Sequence, residues 1–159
     1  RDDRHGDGTP VIATVDGTKV GLMICQDDNF EDVARRLPFA GVQIAAVPTL
    51  DWQSVEKLHL NNARNRPREF GFVSARAAIG GISAVIDTRG RVVASKNHLV
   101  EGDGLVVADV PVPTGGPTLF ARFGNVPTLA LAGMGIGIMG VFRNRRPRAL
   151  VGTPAEKEP

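Results

Sequence analysis

The feature that most constrains the fold of this chain is a repeated alternation of short apolar runs with segments of helical spacing. Val20-Gly21-Leu22-Met23-Ile24 is apolar and reads as a buried strand. Cys25-Gln26-Asp27-Asp28-Asn29 follows, and then Phe30, Val33, Ala34 and Leu37 recur with helical period, closed by Pro38 and Gly41. Asn29 is the expected N-cap, with Asp32 three residues later completing an approximate capping box. Gln43 to Val47 is the next short buried strand, ending at Pro48. A second helix is expected over 54–70, with Leu58, Leu60, Ala63 and Phe70 turned inward and Pro67 kinking or interrupting it.

The flanks of this core read as strands and tight turns. Val11 to Val15 and Lys19 to Ile24 form a hairpin around Asp16-Gly17, a strong turn signal between apolar runs. Phe72 to Ala75, Ile82 to Asp87 and Arg91 to Ser95 are further strands, the last two joined by Thr88-Arg89-Gly90. Gly104 to Val110 gives one more, and the proline- and glycine-rich Pro111 to Pro117 ends the region. Strand, helix, strand, helix, strand and then a meander define an α/β layered domain.

Composition narrows the function classes. The 159 residues are 42% hydrophobic and 23% charged, which suits one globular domain and excludes a disordered chain. A net charge of +2, without aromatic residues interleaved among basic ones, argues against nucleic acid as a partner. One cysteine allows no intrachain disulfide and no cysteine-rich metal site. His5, His59 and His98 are far apart and lack metal-ligand spacing, so no metal is expected. Arg1 to Gly8 is polar, with neither an initiator methionine nor a signal-peptide pattern, and reads as an entry loop reached from something upstream.

Cys25 is the candidate nucleophile. At a strand-to-helix turn its sulfur is exposed and faces the positive end of the helix dipole, the setting of reactive thiols. Position alone leaves a second reading open, that of a buried core cysteine. Asp27 beside it could orient a substrate amine or simply favour the helix N-terminus. His59 reads as a structural histidine, Asp51 and Trp52 as a lid or as packing, and Glu69 with Arg66 as site-lining residues or a solvated helix face.

From Val126 to Phe142 no residue is charged, and Arg143, Arg145, Arg146 and Arg148 follow at once. Seventeen apolar residues are the lower limit for a bilayer span, Gly133 and Gly137 form a GxxxG pair suited to close helix packing, and the basic cluster obeys the positive-inside rule. A transmembrane helix over 126–142 is expected, with the preceding domain extracytoplasmic and the C-terminus cytoplasmic. A buried hairpin of a soluble domain or a flexible apolar tail is the alternative.

Several motifs taken together carry a resemblance. Gly21-Leu22-Met23-Ile24-Cys25-Gln26-Asp27 with Phe30-Glu31 and Arg35, then His59-Leu60 and Ala63-Arg64-Asn65-Arg66-Pro67-Arg68-Glu69, stand in order. Gly81 to Asp87 with Gly90-Arg91-Val92, and Gly115 to Phe120 with Gly124, complete the set. Over about residues 9–125 the chain resembles the nitrilase superfamily, and within it the bacterial apolipoprotein N-acyltransferases, whose last membrane helix the terminal apolar stretch matches. It departs from their pattern at Gln26 and Asp27, where an aromatic and a glutamate are usual, at Asn125 for an aspartate, and in the loop Leu50-Asp51-Trp52-Gln53.

The resemblance implies the C-terminal portion of a nitrilase-like α-β-β-α sandwich: an entry loop (1–8), a partial carbon-nitrogen hydrolase domain (9–125), the transmembrane helix (126–142) and a basic, disordered cytoplasmic tail (143–159). It implies that Cys25 attacks an acyl carbonyl and carries a thioester, with the Gln26 backbone N–H helping to bind the oxyanion and Asp27, Trp52 and Glu69 near the substrate. No cofactor is implied. The expected partners are a phospholipid acyl donor, a lipoprotein acceptor, the membrane, and the missing N-terminal half of the same protein. The family's catalytic glutamate and lysine belong upstream, and Lys19 is too close to Cys25 to serve, so this segment alone is expected to be inactive. A carbon-nitrogen hydrolase acting on a small amide, and a catalytically dead binding domain, are the alternatives.

Overall fold

The computed structural model describes residues 8–144. One six-stranded sheet runs in sequence order, β1 (Ile12–Val15), β2 (Thr18–Leu22), β3 (Ile44–Leu50), β4 (Val73–Ile79), β5 (Ile82–Ile86) and β6 (Val92–Asn97). The hairpin β1–β2 is antiparallel around Asp16 and Gly17, both at positive φ (48° and 80°), the backbone that this kind of two-residue turn requires. β2, β3 and β4 are parallel, and β4, β5 and β6 antiparallel. The parallel strands are linked by α1 (Glu31–Phe39) and α2 (Glu56–Phe70), two βαβ crossovers that lay both helices on the sheet.

Side-chain alternation then separates two sheet faces. Gly21, Ala45, Val47, Ser74, Arg76, Ala84 and Ile86 lie on the helix-covered face, and all but Gly21 are 4% exposed or less. A Cβ on Gly21 would stand 2.9 Å from Val42 and 3.0 Å from Leu37, so only glycine lets α1 sit this close to β2. The main core joins Met23, Leu37, Val47, Phe70, Phe72 and Ala121, with the Phe70 ring stacked on Phe72 and tilted against Phe120. A smaller cluster of Ala63, Ala84 and Ile86 lies under Leu60 and Val92. Beyond β6 come the single turn α3 (His98–Glu101) and the short α4 (Leu119–Phe123), capped by the Thr118 hydroxyl.

Several local expectations are corrected. Asn29 does not cap α1: Phe30 occupies that position with no side-chain cap, and no capping box forms around Asp32. The amide of Asn29 is taken by Gln26 and Asn62 instead. Leu58 points outward at 60% exposure, whereas Ala63 and Phe70 are fully buried. Pro67 neither ends nor interrupts α2; it lies buried in the last turn, which closes at Gly71. β3 continues through Pro48 to Leu50. In a parallel strand alternate residues face the same neighbour, and Ala46 accepts from Met23 on the β2 side. Pro48, two residues on, therefore turns its missing N–H toward the gap left where β2 has ended. Gly104 to Val110 is no strand; Gly104, Leu105 and Val106 instead border a cavity of about 200 Å³ over the sheet face at Ala75, Ala77, Ser83 and Val85.

The chain divides into two compact units, 1–124 and 125–159. Within the second, α5 (Val126–Asn144) forms over the apolar stretch, and its large apolar side chains from Val126 to Val141 are 50–73% exposed. The stretch expected to span a membrane is found as a helix; no helix among the described residues is long and apolar enough to cross a membrane. The entry loop up to Asp7 and the basic tail from Arg145 onward lie outside the described residues.

Candidate active site

The site forms where β2 ends and its neighbour continues. After Met23 donates to Ala46 O (3.1 Å), the chain leaves the sheet in a five-residue 3-10 turn, Cys25–Asn29. Cys25 has φ +49°, one of only two non-glycine residues at positive φ among the described residues. That backbone is rare for a side-chain-bearing residue and persists only where its surroundings impose it. Asp27 does so: its carboxylate accepts from Ile24 N–H (2.7 Å) while its own N–H donates to Ile24 O (3.0 Å). Cys25 heads this 3-10 turn, and the helix expected from Phe30 onward begins at Glu31 as α1.

The half-buried Cys25 Sγ lies 3.8 Å from Leu50 O, which like Pro48 lies past the end of β2. The Gln26 N–H is in the first turn of the 3-10 segment, where backbone donors lack intrahelical partners. The Gln26 side chain accepts from Asn29 Nδ2 (2.6 Å), and Asn29 Oδ1 accepts from Asn62 Nδ2 (2.7 Å), tying the turn to α2.

Beneath the turn lies a buried charged network. Arg76 of β4 donates through one terminal nitrogen to Asp28 Oδ2 (2.8 Å) and through the other to Asp51 Oδ2 (2.7 Å). The three side chains are 1%, 3% and 0% exposed. Asp51 Oδ1 also meets His59 Nδ1 at 2.7 Å. Arg66 donates to Asp28 O (2.9 Å) and to Glu69 Oε2 (2.5 Å). Burial pushes the Asp28 carboxyl up to about 6 from its ordinary 3.8, against the pull of Arg76 and Arg66. Burial likewise raises Glu69, again opposed by Arg66.

Of the sequence-designated residues, Cys25, Gln26 and Asp27 share one turn. Glu69 reaches that turn only through Arg66, and this paired arrangement, with Arg66 and Glu69 side chains 12% and 26% exposed, is not a solvated helix face. Trp52 is 56% exposed at the rim, its ring edge against His59. Asp51 is no lid; it lies at the bottom of the network. His59, read from the sequence as a structural histidine, has its Nδ1 on Asp51. Asp28 and Arg76 were missed. The available signal was Arg76 itself, the one charge in the otherwise small and apolar run Val73 to Ile79, where a buried cation needs acidic partners. Among the described residues no group of three or more potential ligands could hold a metal ion.

Comparison with known proteins agrees with this architecture. Apolipoprotein N-acyltransferase of Chlamydia muridarum is 30% identical over 158 residues, covering 93% of this chain and 29% of that protein. The Bradyrhizobium diazoefficiens protein of the same name is 44% identical over 80 residues, covering 49% of this chain and 14% of its own length. The chain thus spans less than a third of these curated relatives. Among solved structures, a variant of the amidase from Nesterenkonia sp. AN1 carries the acetamide moiety of fluoroacetamide covalently added at its active site cysteine. It superposes with a TM-score of 0.56 at 28% identity, covering 67% of this chain and 43% of that one. The carbon-nitrogen hydrolase family pattern matches residues 3–118, well over half of the sequence. With its parallel β2–β3–β4 core and a cysteine at the end of β2, the chain belongs to the carbon-nitrogen hydrolase family.

Proposed function

We propose that this chain is the nucleophile-bearing C-terminal part of a membrane-bound N-acyltransferase, moving a fatty acyl group from phospholipid to the N-terminal amine of a lipoprotein. The observation that carries the reading is the lone cysteine on a positive-φ turn, its sulfur beside the open end of β2, in a chain whose curated relatives bear that enzyme name. Cys25 as thiolate attacks the acyl ester carbonyl, the lysophospholipid alcohol leaves, and the acyl group rests on sulfur as a thioester. The lipoprotein amine then attacks, the amide forms and the thiol is regenerated. The Gln26 N–H donates to the oxyanion in both steps, and Asp27, Trp52 and Glu69 border the substrate.

The catalytic glutamate and lysine, and further membrane helices, are supplied by residues upstream of Arg1. This segment alone is inactive. α5 anchors the domain on the extracytoplasmic side of the cell membrane, with the basic C-terminus in the cytoplasm. The open face of the sheet supports the upstream half: Leu22, Leu50 and Ile79 stand 40%, 65% and 66% exposed on it, an apolar surface suited to a second layer. A second reading, amide hydrolysis, is favoured by the amidase identity of the solved neighbours.

The test is acyl transfer by the full-length protein from phospholipid to a synthetic lipopeptide, with Cys25→Ala as the variant. Transfer with a hydroxylamine-labile acyl group on Cys25, lost by about a thousandfold or more in the variant, is expected. Release of ammonia from small amides without any transfer would replace this reading with the hydrolase. Transfer that survives the variant would remove Cys25 from the chemistry.

A further inference from the structure

The network beneath the site joins exactly the two pieces of backbone that hold the cysteine. Cys25 heads a turn whose fourth residue is Asp28, and the carbonyl that Sγ meets belongs to Leu50, the residue before Asp51. Asp28 and Asp51 lie 23 residues apart in sequence, on chain segments leaving adjacent strands, β2 and β3. Neither carboxylate reaches the other's segment directly. Both meet the guanidinium of Arg76, which enters from the third strand, β4, and is 1% exposed. We propose that Arg76 is a positioning residue for Cys25, its two terminal nitrogens fixing the turn that bears the thiol and the strand end that faces it in one geometry.

A purely stabilising role accounts poorly for this arrangement. A buried ion cluster loses most of its attraction to desolvation, and a well-packed apolar group in its place is often as stable or more so. What the guanidinium adds is a planar fork that holds two carboxylates at fixed angles, which an ammonium cannot reproduce. The further contacts serve the same end. Arg66 holds the Asp28 carbonyl, so the turn is clamped by side chain and backbone, and His59 fixes the second oxygen of Asp51. Small displacements of a nucleophile cost large factors in rate, so a device that sets two loops against each other acts on turnover rather than on substrate affinity.

The inference rests on Cys25 being the nucleophile, and the test separates the two. In the full-length protein, the rate of iodoacetamide alkylation of the Cys25 peptide is followed by mass spectrometry for wild type, Arg76→Lys and Arg76→Met. Acyl-transfer kcat and KM are measured alongside, and Arg91→Met, which breaks the pair between the exposed Arg91 and the buried Asp87 on the β5–β6 hairpin, is the control. The expected order is wild type, then Lys, then Met, with a fall of about tenfold or more at Met in both alkylation and kcat, and KM little changed. Partial rescue by lysine marks the charge, and its incompleteness marks the fork. A folded Arg76→Met protein alkylated at the wild-type rate or faster overturns the proposal. Should Arg76→Met fail to fold, Arg76→Lys decides, and a folded lysine variant at wild-type rate overturns it. If wild type transfers no acyl group, the transferase reading fails while the alkylation order still judges Arg76.

Discussion

On the helix-covered face of the sheet, Ala45, Val47, Ala84 and Ile86 are each 1% exposed or less. On the other face of the same strands, Leu22, Leu50 and Ile79 are 40%, 65% and 66% exposed. Apart from Ser74, Arg76 and a few other polar side chains, both faces are made of apolar residues. A half-solvated sheet alternates apolar with polar side chains, whereas strands buried on both sides read as continuous apolar runs. β3 (Ile-Ala-Ala-Val-Pro-Thr-Leu) is composed in the second way, although Pro48 and Leu50 on its second face are exposed among the described residues. The difference teaches that composition of this kind suits a second layer on that face, the layer proposed above to come from the upstream half. It also explains why the charged network lies where it does. Arg76, Asp28 and Asp51 are beneath α2, on the face these residues close by themselves, so the backbone around Cys25 is set independently of what covers the other side.

The largest effect should come from breaking the covered face. Phe70 is fully buried between Phe72 and Phe120. Phe70→Ala is expected to lower the unfolding free energy by about 3–5 kcal/mol, read from urea denaturation. A loss below about 1 kcal/mol would mean that the aromatic cluster is not the core of this unit.

Next comes the charge beneath that face. Unfolded, Asp28 titrates near 3.8, and folded, near 6. Between those values the native state keeps a proton that the unfolded state has lost, so this residue's contribution makes stability fall as pH rises through the window. The fall amounts to up to about 3 kcal/mol and is complete by neutral pH. Asp28→Asn cannot titrate and should lack it. Urea melts at about pH 4 and pH 7 for both proteins check this, and an identical pH slope in the two would sink it.

Much of the covered face was legible in the sequence. The β2–α1–β3–α2–β4 order follows from periodicity, because parallel strands are uninterrupted apolar runs and α1 carries a clear helical stripe. The hairpin at Asp16-Gly17 follows from turn chemistry. Cys25 was found because a lone thiol at a strand end is a local pattern. Its setting was not: the pairing of Arg76 with Asp28 spans 48 residues and that with Asp51 spans 25, and no local period encodes either. The misplaced cap at Asn29 has the same cause. A preference for local capping lost to a bond with Asn62, 33 residues away. Gly104 to Val110 has strand composition, yet it pairs with no strand, and its first residues Gly104, Leu105 and Val106 border a cavity over the sheet face, so composition alone misassigned it.

The smallest effect is the one that sharpens the comparison most. Ala77 lies in the centre of β4, exposed on the open face and flanked along the strand by Ala75 and Ile79. Ala77→Asp puts a carboxylate where water reaches it, so in the chain as given the change should stay within about 0.5 kcal/mol, as for an ordinary surface substitution. Ala45 on the other face gives the contrast: it is fully buried, and an aspartate there would be desolvated without a partner. In the longer protein proposed to carry this chain, a second layer would bury Ala77 as well. The same Ala77→Asp change should then cost about 3 kcal/mol or more, because an isolated charge is being desolvated. Urea denaturation of both lengths gives the two numbers. Equal, small costs would mean that the open face stays open and that the apolar composition of β3 and β4 serves something other than a second layer. A cost confined to the longer protein would make the two faces of the sheet alike, each closed by a different part of one chain.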